Sequence, residues 1–464
     1  MSRESSLIKN TAILSFGTVV PRLVNVVTLP ILTGFLSKAD YGTYDLVVSM
    51  VTLLLPVATL QLQAAAFRFL IDARDDAVLQ RSIVTNIVVV STTISVAILV
   101  VLFLLLSYVD VISRLLICIY YLLDVVVVTL RQVARGLSCN KVYSMSVIVN
   151  SLSEGCAVVG LVMLLSAGLN GALVASVIGQ TASLLTLLFG VNAVSLIDFK
   201  TLSAGITKKL VAYSWPLIPN SLSSWAISMS DRLVLTIMLG IEASAIFAVA
   251  TKIPNLLGIF QSAFTLAWQE NASLSSNDSD RDRYYSKTFD GVFCLLAGGL
   301  GLLIAASPLL FSLLVQGDYG ESYVHMNILF IGALASCIAS FLGGIYIAHM
   351  RTKEIGITTA VVAVVNLVAE IALVPLIGIF AASFAYVLSY VVLSVYRAVK
   401  LAEFQPIEFN VGKITATSVV LMGMVAISVL REPASMALNS CIAVAMFIAL
   451  NKKILKKLVE KARR

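Results

Sequence analysis

The chain has 464 residues, of which 59% are apolar or aromatic and 12% are charged. A soluble domain is about 25% charged, so half the usual solvating surface is missing. The mean hydropathy of +0.98 then excludes a cytosolic enzyme or a secreted module and leaves a polytopic membrane protein. Six cysteines without paired spacing and only two histidines, His325 and His349, suggest neither a disulfide framework nor a metal centre, and no cofactor is expected. Arg3 and Lys9 precede an apolar stretch that runs past 20 residues without a small-residue cleavage site, which reads as a retained first helix rather than a signal peptide.

About 20 apolar residues cross the hydrocarbon of a bilayer as a helix. Broken at polar and Gly/Pro punctuation, the chain gives fourteen such segments. They are 10–36, 42–67, 82–107, 111–135, 142–166, 171–196, 209–239, 243–267, 288–315, 322–348, 355–376, 378–398, 412–430 and 434–451. Segments 11 and 12 meet at Leu376-Ile377-Gly378, and the final pair around Glu432-Pro433. The fold class is all-α integral membrane. Its organisation is an N-lobe over 1–197 (helices 1–6), a linker over 198–208, a C-lobe over 209–400 (helices 7–12), helices 13–14 over 401–451, and a basic tail over 452–464.

The loops alternate in charge. Those on one side carry 26 Lys and Arg, those on the other only Lys38, Arg114 and Arg431. The positive-inside rule then puts both termini in the cytoplasm. The net charge of +7 is thereby a topology signal, and no nucleic-acid partner is expected. The outward loops are short, on the order of 3 to 6 residues, too short for a membrane enzyme that binds a glycan acceptor outside the cell. There is no P-loop, and Gly298-Gly299-Leu300-Gly301 lies within an apolar helix where it permits close packing. The tail, with Lys452, Lys453, Lys456, Lys457, Lys461, Arg463 and Arg464, suits the anionic inner leaflet.

The two halves share a feature. Pro21, Pro30 and Pro56 lie in segments 1 and 2, and Pro216, Pro219 and Pro254 in segments 7 and 8. Proline removes a backbone bond and kinks a membrane helix, and corresponding broken helices in two halves point to a transport site.

Charged side chains at membrane depth are costly and carry function by default. At 1.5 Å per residue, Arg22 in segment 1, Asp124 in segment 4 and Glu154 in segment 5 lie about 18–20 Å from a membrane face, and Lys252 in segment 8 about 14 Å. Asp124 and Glu154 serve either as an ion-coupling pair or as buried partners of a nearby Arg or Tyr such as Tyr120. Arg22 and Lys252, in opposite halves, would stay charged in an aqueous cavity and attract an anion. Asp45, Asp231, Arg232, Glu370 and His325 read as shallower, toward the outer surface; Arg68, Arg131, Arg135 and Asp290 as lying toward the inner one, where the arginines either form a phosphate vestibule or merely obey the positive-inside rule. Gln61, Gln63, Gln261 and Trp268-Gln269 either bind sugar or act as interhelical glue.

Lys9-Asn10-Thr11, Leu29-Pro30-Ile31-Leu32-Thr33, Tyr41-Gly42-Thr43-Tyr44 and Phe67-Arg68-Phe69 resemble the opening of Wzx-type bacterial polysaccharide flippases. In the second half Pro216-Leu217-Ile218-Pro219-Asn220, Ser230-Asp231-Arg232 and Phe264-Thr265-Leu266-Ala267-Trp268-Gln269 agree. These flippases are the polysaccharide transport branch of the multidrug/oligosaccharidyl-lipid/polysaccharide (MOP) exporter superfamily. The resemblance implies a MATE/lipid-flippase-like fold of two pseudo-symmetric six-helix lobes plus two C-terminal helices. It implies a transporter rather than an enzyme: a flippase of the bacterial inner membrane that moves undecaprenyl-diphosphate-linked oligosaccharide between leaflets by alternating access for surface polysaccharide synthesis (O-antigen, capsule or exopolysaccharide). Its site would hold Arg22, Lys252, Arg68 and Arg232 for substrate and Asp124 and Glu154 for an H+ or Na+ coupling ion. A polysaccharide polymerase and a chain-length regulator would be partners beside membrane lipid. The alternative is a cation-coupled multidrug exporter of soluble small molecules, built on the acidic pair.

Overall fold

The structure is a computed structural model that describes residues 3–462, apart from 74, 107–108, 259–260, 262–263, 266–267, 269–270, 273–274, 276–277 and 350. Every regular element described is helical. The chain divides into two units, Met1–Trp225 and Ala226–Arg464.

In the first unit α1 spans Arg3–Phe35 without interruption although Pro21 and Pro30 lie inside it. Segment 1 is therefore not broken, contrary to expectation. In hydrocarbon, neighbouring helices can re-satisfy the backbone groups that a proline frees. Ser37 caps α2 (Lys38–Ala58) by accepting from the Asp40 amide. That helix does stop, two residues past Pro56. Leu60 (φ 47°) and Gln61 (φ 56°) follow in the left-handed region, at a cost of about 1–2 kcal/mol each for a side chain other than glycine, and α3 (Leu62–Asp72) starts directly after them.

Asp76 caps α4 (Ala77–Leu105) through two backbone amides, and Asp110 caps α5 (Val111–Gly136). Hydrogen bonds from the Ser113 side chain and backbone hold the Asp110 carboxyl below its ordinary range. α6 (Asn140–Ala157) runs into a π-helical stretch over Val158–Leu164, and α7 covers Gly168–Gly190. A short α8 (Ala204–Ser214) leads into α9 (Leu217–Leu239).

Two apolar clusters organise this unit. Leu62, Ala65, Ala66 and Leu70 of α3 pack with Ile83, Val84 and Ile87 of α4, Val133 of α5 and Leu210 of α8. Val47 and Val51 of α2 pack with Ile117, Tyr121 and Val125 of α5 and Leu173 of α7.

The second unit holds the rest of α9, then α10 (Ile241–Lys252), α11 (Arg281–Leu314), α12 (Ser322–Ala348), α13 (Thr352–Ile377), α14 (Phe380–Leu401), α15 (Val411–Ser428) and α16 (Pro433–Ala462). α13 and α14 separate at Gly378 (φ 59°), and the final pair at Pro433. The glycine run serves packing: a Cβ at Gly298 would lie 2.9 Å from Phe447, and one at Gly301 would collide with Met446, both on α16.

α13 shows why these helices belong in lipid. Ile357, Val361, Val364, Val368 and Ile371 recur on one helical face and are 48–62% exposed. Thr358, Asn366 and Glu370 are buried on another. A soluble helix has the opposite polarity, and exposed apolar faces of this length are tolerated only in hydrocarbon. The chain is a multi-pass membrane protein. Among the described residues eleven helices are long and apolar enough to cross a membrane. Segments 1, 7 and 8 are not among those eleven. Among the described residues α1 contributes the apolar stretch Val19–Phe35, segment 7 is divided between α8 and α9, and segment 8 leaves its α-helix at Lys252.

Candidate functional site

In the first unit three helices each contribute one polar stripe. α5 supplies Tyr120, Asp124 and Arg131; α6 supplies Ser146, Asn150 and Glu154; α7 supplies Ser176, Gln180 and Ser183. Spacings of three, four or seven to eight keep each stripe on one helical face. Close approach of α6 and α7 depends on Gly179, where a Cβ would lie 2.8 Å from the Glu154 Cβ and 3.0 Å from the Asn150 carbonyl.

The α7 stripe serves the three charged groups in turn. Ser176 donates to Glu154 Oε1 at 2.8 Å, Gln180 Nε2 to Asp124 Oδ1 at 2.7 Å, and Arg131 Nη2 to Ser183 Oγ at 3.0 Å. Asn150 donates to the Gln180 carbonyl oxygen at 3.2 Å, which fixes the amide's orientation. Tyr44 of α2 also donates to Glu154 Oε1, at 3.1 Å. Asp124 feels Arg131 and Glu154, and Tyr120 lies among Asp124, Glu154 and Tyr44. Asp124 and Glu154 therefore belong to one network, and Tyr120 and an arginine are its neighbours. Arg131, read from the sequence as a shallow inner-surface charge, is the cation of this network.

In the second unit a cavity of about 230 Å³ is lined by Asp231, Arg232, Thr251, Asn255, Tyr386 and Tyr390 among others. Arg232 is 5% exposed and donates to Thr251 Oγ1 at 3.1 Å, with its guanidinium over the Phe247 ring at 6.0 Å. Asp231 beside it is 1% exposed, and Glu370 of α13 is 0% exposed and within hydrogen-bonding reach of Asp231. Among the described residues no donor reaches Asp231 Oδ1 or either carboxyl oxygen of Glu370. Two carboxyl groups can hydrogen-bond to each other only when one carries a proton. Two buried carboxylates facing one guanidinium would otherwise leave a net negative charge in a low-dielectric interior, at a cost of several kcal/mol. This cluster is chemically suited to hold one proton or one monovalent cation.

The sequence reading placed Asp231, Arg232 and Glu370 toward the outer surface, and the structure adds that they are packed inside the protein. Asp231 lies eight residues inside the end of α9 and Glu370 seven inside the end of α13, about 10–12 Å in. All three side chains are buried.

The other candidate cations fall in different settings. Arg22 is half-buried on α1 beside Pro21. Lys252 is the last residue of α10, where the helix gives way to the 3-10 turn Pro254–Leu256. Arg68 stands at the surface of α3, 53% exposed, paired at 2.7 Å with Asp72 one turn away. Gln61 Nε2 donates to Ser221 and Gln261 Nε2 to Ser340, so both amides join helices. Trp268 is 2% exposed and stacks on Phe341 with ring centroids 4.3 Å apart, a core side chain. Gln269 lies outside the described residues.

Known proteins agree with this architecture. The polysaccharide biosynthesis protein family matches residues 7–268. The chain belongs to that family. No curated protein matches it closely enough to be a relative. Among solved structures the chain is similar to the lipid II flippase MurJ in an inward closed conformation. The TM-score is 0.72 at 12% identity, covering 96% of this chain and 99% of that one. An inward-facing multidrug resistance MATE family transporter of the MOP superfamily gives a TM-score of 0.65 at 14% identity, covering 85% and 98%. A MOP superfamily transporter from Pyrococcus furiosus, described as having a binding pocket of reversed polarity, gives 0.60 at 13% identity, covering 86% and 96%. At these identities the likeness establishes the fold, which is that of MOP transporters.

Proposed function

We propose that this polysaccharide biosynthesis protein is a flippase of the bacterial inner membrane. It would carry undecaprenyl-diphosphate-linked oligosaccharide from the cytoplasmic to the outer leaflet by alternating access, with both termini in the cytoplasm. The observation that carries the reading is the combination of a polysaccharide biosynthesis family with a MOP transporter fold; Arg22 and Lys252, which segment arithmetic puts at membrane depth, are assigned to the headgroup. A diphosphate needs cationic partners in a water-filled path, and the membrane tolerates such charges only where they face protein or water.

Movement of a charged headgroup against its gradient needs a driving ion. We assign that role to the carboxylates: Asp124 and Glu154 in the first unit, Asp231 and Glu370 in the second. Asp124, Asp231 and Glu370 are buried, Glu154 is half-buried, and an arginine faces each pair, so gain or loss of one cation changes the local charge by a full unit where screening is weak. A polysaccharide polymerase and a chain-length regulator would act on the product after it reaches the outer leaflet.

The four carboxylates also favour a second reading, a cation-coupled exporter of soluble small molecules. Deletion of the gene in its native bacterium separates the two. The flippase reading expects undecaprenyl-diphosphate-linked glycan to accumulate and surface polysaccharide to disappear, with export restored by the wild-type gene. Unchanged surface glycan together with new sensitivity to cationic drugs would overturn it.

A further inference from the structure

The break in the second transmembrane segment has a structure that a passive kink does not need. Leu60 and Gln61 are consecutive left-handed residues, and neither is glycine. They sit between Ala58 and Leu62, both essentially without exposure. Backbone bonds from Leu60 to Val57, from Leu62 to Thr59 and from Ala64 to Gln61 satisfy the turn locally. A strained conformation of this kind persists only when its surroundings over-determine it, and it clusters where a protein switches.

The surroundings here are specific. Gln61 Nε2 donates to Ser221 Oγ at 2.6 Å, and Gln63 Nε2 holds the other end of the same amide at 3.0 Å. One turn along α9 from Ser221, Trp225 Nε1 donates to the Ser49 carbonyl of α2 at 2.9 Å. The elbow also separates two packing groups. α2 is anchored through Val47 and Val51 to α5 and α7; α3 is anchored through Leu62, Ala65, Ala66 and Leu70 to α4, α5 and α8. Between Ala58, which belongs to the α2 group, and Leu62, which belongs to the α3 group, stand Thr59, Leu60 and Gln61, of which Leu60 packs against the α3 group.

We infer that Leu60–Gln61 is a strained elbow, clasped in its bent form by the Gln61–Ser221 hydrogen bond, and that releasing the clasp lets α2 and α3 straighten toward one proline-kinked helix. The inference deepens the transport reading, since it names the hinge of an alternating-access cycle, and rests on that reading for its role. Gln61 is then a positioning residue: it need not touch cargo to be required.

Double electron–electron resonance on purified protein in nanodiscs tests this without any substrate. Spin labels would be placed at Thr52→Cys and Asp72→Cys after replacing the six native cysteines. Both positions are exposed. The wild-type background should give one short distance. Gln61→Ala and Ser221→Ala should each add a longer population. Leu60→Gly combined with Ser221→Ala should shrink that population again, because glycine adopts positive φ without strain. If both alanine variants fold and keep the single short distance, the clasp is overturned; Ser221→Ala alone decides if Gln61→Ala does not fold. Should the distances shift as expected while no variant, wild type included, moves lipid-linked glycan, the elbow stands and the flippase reading falls.

Discussion

Glu370 of α13 reaches Asp231 of α9 inside the second unit, and no described donor meets either Glu370 oxygen. A glutamine amide can still donate to Asp231, as a protonated Glu370 would, and carries no charge to desolvate, so the swap should not strand its neighbour. Glu370→Gln should therefore unfold thermally within about 2 °C of wild type or higher, while export loses its dependence on an ion gradient. A fall in unfolding temperature beyond that would mean that the carboxylate is fully paired.

Arg232 should behave oppositely. Its removal leaves Asp231 and Glu370 without a counter-charge, and breaking such a group costs about 3–5 kcal/mol. Arg232→Ala should be strongly destabilised in chemical unfolding, and the loss should shrink in the Glu370→Gln background. Additive losses in the double variant would show that the two residues do not interact.

In the first unit Gln180 links Asn150 to Asp124. Gln180→Leu strands the buried Asp124 and the half-buried Asn150 and should cost about 1–3 kcal/mol. Gly179→Ala acts on the same joint by sterics, since its new methyl would press on Glu154 and the Asn150 carbonyl; overpacking of this kind costs about 1–3 kcal/mol. Unfolding of the purified variants checks both, and wild-type stability in Gly179→Ala would show that α6 and α7 can separate freely.

Arg68 and Arg22 separate surface charge from site. Arg68 is paired with Asp72 at an exposed position, and such pairs contribute about 0–1 kcal/mol. Arg68→Ala should leave stability and export close to wild type, whereas Arg22→Ala should abolish export at normal expression. Surface polysaccharide in complemented deletion strains reads both, and equal effects would argue that neither arginine meets the cargo.

Much of the fold is legible in the sequence because membrane depth sets helix length and punctuation sets helix ends. Gly378 and Pro433 separate helices where the chain pattern expects it. Pro56 and Pro254 likewise lie at breaks, whereas Pro21 and Pro30 do not break α1. Proline identity alone does not tell whether neighbours restore the freed backbone groups. The acidic pair Asp124 and Glu154 is legible from depth, and the polar spacing of Ser176, Gln180 and Ser183 in an otherwise apolar helix could have revealed its supporting stripe. Asp231 and Glu370 were harder. They lie far apart in sequence, each near a helix end, and only packing of α9 against α13 turns two shallow charges into one buried cluster.

The most direct test of the account is flipping itself. Purified protein would be reconstituted into liposomes with an undecaprenyl-diphosphate-linked oligosaccharide, and the glycan accessible on each leaflet followed under an imposed proton or sodium gradient. The account predicts transfer between leaflets that depends on the gradient, is lost in Arg22→Ala, and becomes gradient-independent in Glu370→Gln. Wild-type protein that leaves the glycan on its original leaflet under both gradients would contradict it.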